Sequence, residues 1–322
     1  MSGEQIDSPF TIHHMSVNIQ IDSISKKYAD VMALNNISLS IKSGELFGFI
    51  GPDGAGKTSL FRILTSLLLP TSGKASIGEF DVVKDYKKIR QNTGYMPGRF
   101  SLYLDLTVEE NLDFYASIFN TTVKENYELI KDIYVQIEPF KKRRAGDLSG
   151  GMKQKLALSC ALIHSPHLII LDEPTTGVDA VSRMEFWELL KKMQKMGMTI
   201  IVSTPYMDEA ALCDRVALMQ NGNLLAVDTP NNIVKSYKGS LFAVKAYNMH
   251  KLLDDLGSLG DTSQVFRFGE TIHITSTIND DKVYMESVNK QLIDKGYKDI
   301  SIHKVNPVIE DCFLSLMDKD VE

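Results

Sequence analysis

The chain has 322 residues and a net charge of -6, and 43% of its residues are hydrophobic and 24% charged. This composition excludes a disordered chain, and the acidic balance argues against a nucleic-acid partner, since nucleic-acid-binding proteins are normally basic. Cys160, Cys213 and Cys312 lack metal-binding spacing and suit reduced thiols in a cytosol. The apolar runs are far shorter than the ~20 residues of a membrane-spanning helix, and the polar start does not resemble a signal peptide. We therefore expect another chain to provide any membrane anchor.

The first elements predict an α/β body. Residues 1–16 look like a flexible tail, whereas Val17–Ile24 and Ile37–Ile41 alternate like strands. The apolar run Leu46–Ile50 then predicts a short buried strand, and Ser59–Leu64 predicts a helix. Strand, glycine-rich loop and helix follow one another here, which is the context that a phosphate-binding loop requires.

The loop between that strand and helix fits the P-loop pattern. Its glycines let backbone N–H groups curl around phosphates, and the helix N-terminus adds partial positive charge. Lys57 would contribute a mobile cation, and Thr58 would hold Mg²⁺. The predicted phosphate-binding residues are Gly51, Pro52, Asp53, Gly54, Ala55, Gly56, Lys57, Thr58 and Ser59.

A helical insertion is predicted from about residue 99 to 165. Thr107 and Glu110 form a capping box, and Leu112, Tyr115 and Ile118 recur at helical spacing after it. The chain then returns to α/β, with predicted strands at Leu168–Leu171 and Thr199–Ser203 and a crossover helix at Ser182–Met196. Such a unit predicts two parallel strands of one sheet.

Residues 240–322 change character again and predict a small accessory α+β domain. Four strands and two helices are predicted in the order β-α-β-β-α-β, and Gly269-Glu270 would form a two-residue hairpin turn. No catalytic constellation stands out there. His273 and His303 are isolated, and we expect structural or surface roles for them.

A second motif, Leu148-Ser-Gly-Gly-Met152, precedes a helical run and the strand that ends in Asp172-Glu173. From about Val17 to Lys238 the chain resembles the ATP-binding subunits of ABC transporters. The resemblance implies a P-loop NTPase fold with a helical signature subdomain, spanning 17–239 in this chain.

The resemblance also implies residue roles. Leu148–Met152 would be the signature motif of the family, and its Ser149, Gly150 and Gly151 would bind the γ-phosphate of ATP held by the other domain of a dimer. Asp172 would hold Mg²⁺ through water, and Glu173 would act as general base toward the attacking water. Tyr28, which alone would read as a core tyrosine, would stack on adenine.

Asp179 lies in Gly177-Val-Asp179, which resembles the loop that crosses the dimer interface in this family. Two positions depart from the family pattern. Gly98 replaces a glutamine that touches Mg²⁺ and the lytic water, and Pro205 replaces a histidine that contacts the γ-phosphate. Neither residue offers a polar side chain. Asp53, where asparagine is more usual, adds a negative charge near the phosphates.

The runs Gly94-Tyr-Met-Pro97 and Tyr206-Met-Asp-Glu-Ala210 look like the bacterial drug-export branch served by ABC-2 type permeases. This implies a permease partner, a second ATP-binding subunit, and a cytoplasmic position, peripheral on the inner face of the cell membrane. Three hypotheses stay open: an exporter ATPase subunit, a degenerate subunit that binds ATP but hydrolyses it weakly while donating its signature, and a soluble non-transport ABC protein.

Overall fold

The computed structural model describes residues 17–278 and 280–317. The predicted flexible tail, 1–16, lies outside these described residues. The chain divides into two compact units, Met1–Thr229 and Pro230–Glu322. The predicted boundary after Gly239 lies beyond a short helix, α7 (Pro230–Lys235), which belongs to the second unit.

The first unit contains a six-stranded sheet whose strands run in the order β10-β9-β3-β8-β7-β6. All neighbouring pairs are parallel except β9 and β10. The predicted pair of parallel strands is therefore confirmed as β7 and β8. The strands are β3 (Leu46–Ile50), β6 (Thr93–Met96), β7 (Leu168–Asp172), β8 (Thr199–Thr204), β9 (Arg215–Gln220) and β10 (Asn223–Asp228).

A four-stranded antiparallel sheet, in the order β2-β1-β4-β5, accompanies it. Its strands are β1 (Ile19–Tyr28), β2 (Val31–Ile41), β4 (Ser72–Ile77) and β5 (Phe80–Asp81), and the helices nearby in sequence are α1 (Lys57–Leu64) and α2 (Tyr86–Asn92). Buried residues of both sheets and α1 share one hydrophobic core. Within it, the rings of Phe49 on β3 and Phe61 on α1 meet edge to face at 5.5 Å, so the strand and helix around the glycine-rich loop are fixed against each other.

The predicted insertion is helical in the structure. It comprises α3 (Val108–Ile118), α4 (Tyr127–Tyr134) and α5 (Gly150–Leu162), with short 3-10 helices at Glu138–Phe140 and Ala145–Asp147. The predicted capping box is present, since Thr107 accepts from the Glu110 N–H and the Glu110 carboxylate accepts from the Thr107 N–H. The crossover helix between β7 and β8 is α6 (Ala180–Lys195), followed after β8 by a 3-10 helix at Met207–Leu212.

The second unit contains the predicted β-α-β-β-α-β order. After α7 it runs β11 (Ser240–Lys245), α8 (Met249–Gly257), β12 (Thr262–Phe268), β13 (Thr271–Ser276), α9 (Asp281–Asp294), β14 (Ser301–Val305) and α10 (Ile309–Met317). The sheet order is β12-β13-β11-β14, the ferredoxin-like arrangement. Phe268 pairs with Thr271, which confirms the two-residue turn at Gly269-Glu270.

The two histidines of this unit lie in different environments. His273 is buried, and its Nδ1 lies 2.7 Å from Asp311 Oδ1, so β13 is tied to α10. His303 is exposed on β14. Both positions agree with the expected structural and surface roles.

Candidate functional site

The glycine-rich loop lines an open cavity of about 400 Å³. Residues from Asp53 to Ser59 form one wall, and Glu173, at the end of β7, forms part of another. Sequence reasoning missed Ala33, which also lines the cavity and has no distinguishing side chain. Gly56 has φ 104°, and a Cβ there would lie 2.4 Å from the Ala33 carbonyl oxygen, so only glycine fits.

Lys57 contacts both the glycine-rich loop and Glu173. Its Nζ donates to the carbonyl oxygens of Gly51 at 2.7 Å and Pro52 at 3.0 Å, and it lies 3.3 Å from Glu173 Oε1. The side chain is only 3% exposed. The structure therefore brings the predicted phosphate-binding lysine and the predicted general base into direct contact.

Asp172 and Glu173 are positioned by Ser203 on the neighbouring strand β8. Ser203 Oγ donates to Asp172 Oδ1 at 2.7 Å and accepts from the Glu173 N–H at 3.0 Å. Glu173 has φ 50°, a left-handed backbone that is uncommon for glutamate, and this bond helps to hold it there. Sequence reasoning missed Ser203, although a serine at the end of an apolar strand was a signal.

Both predicted departures border this cluster. A Cβ at Gly98 would lie 3.2 Å from the Asp172 carbonyl oxygen and 3.8 Å from its Cγ, so a side chain at this position would stand beside Asp172. Pro205 directly follows β8, whose last residue Thr204 pairs with Ile50, the last residue before the loop. Gly98 and Pro205 thus lie just beyond the carboxyl ends of β6 and β8.

Tyr28 lies at the end of β1 and is 42% exposed. Its hydroxyl is 3.4 Å from Ser59 Oγ, and the Lys26 ammonium lies over its ring at 5.1 Å from the centroid. A partly exposed ring beside the glycine-rich loop is available for stacking against a planar ligand.

Ser149, Gly150, Gly151 and Asp179 form a second cluster, and none of them is among the described residues that line the cavity of Lys57. Ser149 caps α5 by accepting from the Met152 N–H. A Cβ at Gly150 would lie 3.3 Å from the Gly177 carbonyl oxygen, and one at Gly151 would lie 2.9 Å from Ser182 Oγ. The two glycines therefore permit close approach of α5 to the loop before α6 and to the first turn of α6.

Asp179 caps α6 by accepting from the N–H groups of Val181 at 3.1 Å and Ser182 at 3.0 Å. These hydrogen bonds, chiefly the one from Ser182, lower the pKa of the Asp179 carboxyl.

No group of three or more His, Cys, Asp or Glu side chains able to hold a metal occurs within 17–278 and 280–317. In the same ranges no helix is long and apolar enough to cross a membrane.

Comparison with known proteins supports one family. The sequence model described as ABC transporter matches residues 34–176. The chain is 39% identical over 217 residues to the probable multidrug ABC transporter ATP-binding protein YbhF of Escherichia coli K12, covering 67% of this chain but only 38% of that protein. It is 31% identical over 310 residues to the Nod factor export ATP-binding protein I of Rhizobium sp. N33, covering 95% of this chain and 99% of the relative.

Solved structures give the same result. The cbiO1 protein of Clostridium perfringens, part of an ABC transporter complex, matches with a TM-score of 0.62 and 28% identity over 69% of this chain and 92% of that one. A dimeric ATP-binding cassette, MJ0796, in a post-hydrolysis state with ADP and Pi, matches with a TM-score of 0.60 and 27% identity over 66% of this chain and 98% of that one. The predicted P-loop NTPase fold is confirmed. The chain belongs to the ATP-binding proteins of the ABC transporter family, whose cassettes bind ATP.

Proposed function

We propose that this chain is the nucleotide-binding subunit of an ABC exporter, which binds and hydrolyses ATP in a head-to-tail dimer and drives export through a separate ABC-2 type permease. The observation that carries this proposal is the cavity in which Lys57 and Glu173 meet at 3.3 Å. The export names of the relatives favour an exporter over a soluble non-transport ABC protein. In this role the chain is cytoplasmic and peripheral on the inner face of the membrane.

ATP would bind with its phosphates in the glycine-rich loop. Backbone N–H groups of the loop would face the phosphate oxygens, and Lys57 would exchange its contacts with Gly51 and Pro52 for the phosphates. The adenine ring would stack on Tyr28. Asp53 places a negative charge on this wall of the cavity, which weakens the attraction slightly.

The oxygen donors here fit Mg²⁺, which in nucleotide sites takes one or two protein oxygens together with substrate phosphates. Thr58 would offer its hydroxyl, and Asp172 its carboxylate, 2% exposed and already oriented by Ser203. The ion, when bound, neutralises charge on the phosphates.

Glu173 would take the proton of the water that attacks the γ-phosphorus. Its carboxylate is oriented from two sides, because Thr176 Oγ1 donates to Oε2 at 3.4 Å and Lys57 lies beside Oε1. The cluster of Ser149, Gly150, Gly151 and Asp179 would complete the site of the partner chain, which fits its position outside the cavity of Lys57.

The second candidate is a degenerate subunit that clamps ATP, hydrolyses it weakly and lends its signature to a competent partner. The position of Gly98 beside Asp172 favours it, since no side chain reaches the site from there. Pro205 adds a second missing polar group. The two candidates differ only in the turnover of sites built on this chain's own loop.

The first experiment measures nucleotide binding and phosphate release by the purified chain and by Lys57→Ala. We expect Lys57→Ala to lose most ATP affinity; unchanged binding would reject the assignment of the glycine-rich loop as the phosphate site.

Purification from membranes tests the partners, and we expect a permease and a second ATP-binding chain to co-purify. If that partner has complete sites, Ser149→Arg should abolish the added activity while leaving ATP binding by this chain intact.

A further inference from the structure

One buried carboxylate has no part in the site described above. Glu209, in the 3-10 helix after β8, is 2% exposed. Its Oε2 accepts from Thr175 Oγ1 at 3.1 Å, and its Oε1 lies 3.5 Å from Arg183 Nε. A carboxylate is costly to bury, so one that is buried and bridges two other elements has a fixed place in the structure.

The two groups that Glu209 contacts lie at the two ends of the segment from Thr175 to Arg183. Thr175 is 1% exposed and lies two residues after Glu173. Arg183 lies in the first turn of α6, and its N–H donates to the Asp179 carbonyl oxygen at 2.9 Å. A single carboxylate therefore fixes both ends of the segment that contains Gly177 and Asp179.

Local backbone hydrogen bonds connect Thr175 to the rest of this loop. The Thr176 N–H donates to the Glu173 carbonyl oxygen, and the Val178 N–H donates to that of Thr175, both at 3.2 Å. Gly177 then approaches Gly150 at the start of the signature helix. The loop that contains Thr175 therefore contacts both Glu173 and the start of α5, where the signature motif lies.

Glu209 also ties this loop to the segment that carries Pro205. The Arg183 guanidinium lies over the ring of Tyr206 at 4.4 Å, directly after Pro205, and also pairs with Asp208 at 2.9 Å. Glu209 and Tyr206 therefore both contact Arg183 from the same segment. Arg183 therefore links the segment after β8 to the start of α6.

We propose that Glu209 is a positioning residue of ATP hydrolysis, which holds the loop from Glu173 to Asp179 in register with the segment after β8. The inference rests on the proposed function, since it assigns Glu209 to the same ATP reaction and dimer. Glu209 does not touch the reacting atoms. It acts through Thr175 and Arg183 on the general base and on the loop expected to cross the dimer interface.

The test compares Glu209→Gln and Thr175→Val with wild type. Glu209→Gln removes the charge that faces Arg183, and Thr175→Val removes the donor at nearly equal volume. We expect single-turnover phosphate release to fall about tenfold in each, because Thr175→Val loses a hydrogen bond to a charged group and Glu209→Gln loses an ion pair. ATP affinity should stay close to wild type. Thr175→Ser, which retains the hydroxyl, should restore the rate.

Asp208→Asn is the matched control, because it removes the exposed ion pair to the same arginine and should leave the rate near wild type. A second readout avoids hydrolysis: in a Glu173→Gln background, Glu209→Gln should reduce the fraction of ATP-dependent dimer seen by sedimentation. Should rate, affinity and thermal midpoint fall together, Glu209 is merely structural and the inference is overturned. Unchanged rate and dimer fraction overturn it as well, whereas a wild-type chain that binds no ATP overturns the proposed function itself.

Discussion

Glu173→Gln should slow hydrolysis and tighten ATP binding at the same time. Lys57 lies 3.3 Å from Glu173, so bound ATP would take the ammonium from the carboxylate and bring its own negative charge beside it. Coulomb's law at that distance gives about 1 kcal/mol in water and about 5 kcal/mol at an effective dielectric of 20. Glutamine removes this attraction while keeping the shape of the side chain.

Glu173 is 21% exposed, so solvent screens part of this attraction, and a gain of even about 1.4 kcal/mol is about tenfold in affinity. Loss of a general base typically lowers the rate by about 10²–10⁴. We therefore expect a Kd for ATP about tenfold lower than wild type, with phosphate release reduced by at least about a hundredfold.

Fluorescent nucleotide titration and a phosphate-release assay measure the two quantities on the same preparation. Glu173→Asp is the control, because it retains the charge but withdraws the carboxylate by one methylene, and so should slow turnover without tightening ATP binding. Turnover of Glu173→Gln within twofold of wild type would refute the base assignment. Weaker ATP binding in that variant would refute the competition between Glu173 and ATP for Lys57.

Three further predictions concern other parts of the chain. Gly98→Gln with Pro205→His should raise the turnover of the isolated chain at least about tenfold, since a positioned polar group contributes about 10²–10³ to the rate in such sites. Gly98→Ala with Pro205→Ala, which adds no polar group, is the control. A wild-type turnover near the enzyme median of roughly 10 per second would contradict impaired hydrolysis. A chain ending after Thr229 should bind ATP like the full chain, and loss of binding in a soluble, folded truncate would show that the second unit takes part in ATP binding. A chain ending after Lys238 should aggregate, because it retains Ile233, which is 2% exposed in the full chain, but lacks α10, which contacts it. Burial lowers the pKa of His164 from 6.5 to about 4, so between these pH values the unfolded chain binds a proton that the folded chain does not, and stability falls as the pH drops. The free energy of unfolding in urea should change with pH by up to about 1.4 kcal/mol per pH unit more steeply than in His164→Asn. Equal pH slopes of the two chains would contradict this.

The sequence by itself determined the elements and the motifs. Alternating and apolar runs predicted β3, β7, β8 and the strands of the second unit, because a buried strand requires apolar side chains whatever surrounds it. The glycine-rich loop was predictable because few other residues allow backbone N–H groups to curl around phosphates. The turn at Gly269-Glu270 followed for a similar reason, since Gly269 adopts φ 56°.

The neighbours of the motif residues were decided only by the tertiary structure. Ser203 reaches Asp172, 31 positions away, because β7 and β8 are adjacent parallel strands that end at the same edge. Thr175 and Glu209 meet across 34 positions, and His273 and Asp311 across 38. No local pattern encodes such contacts, because the residues share neither a helical face nor a strand; the packing of the sheet and its connections brings them together.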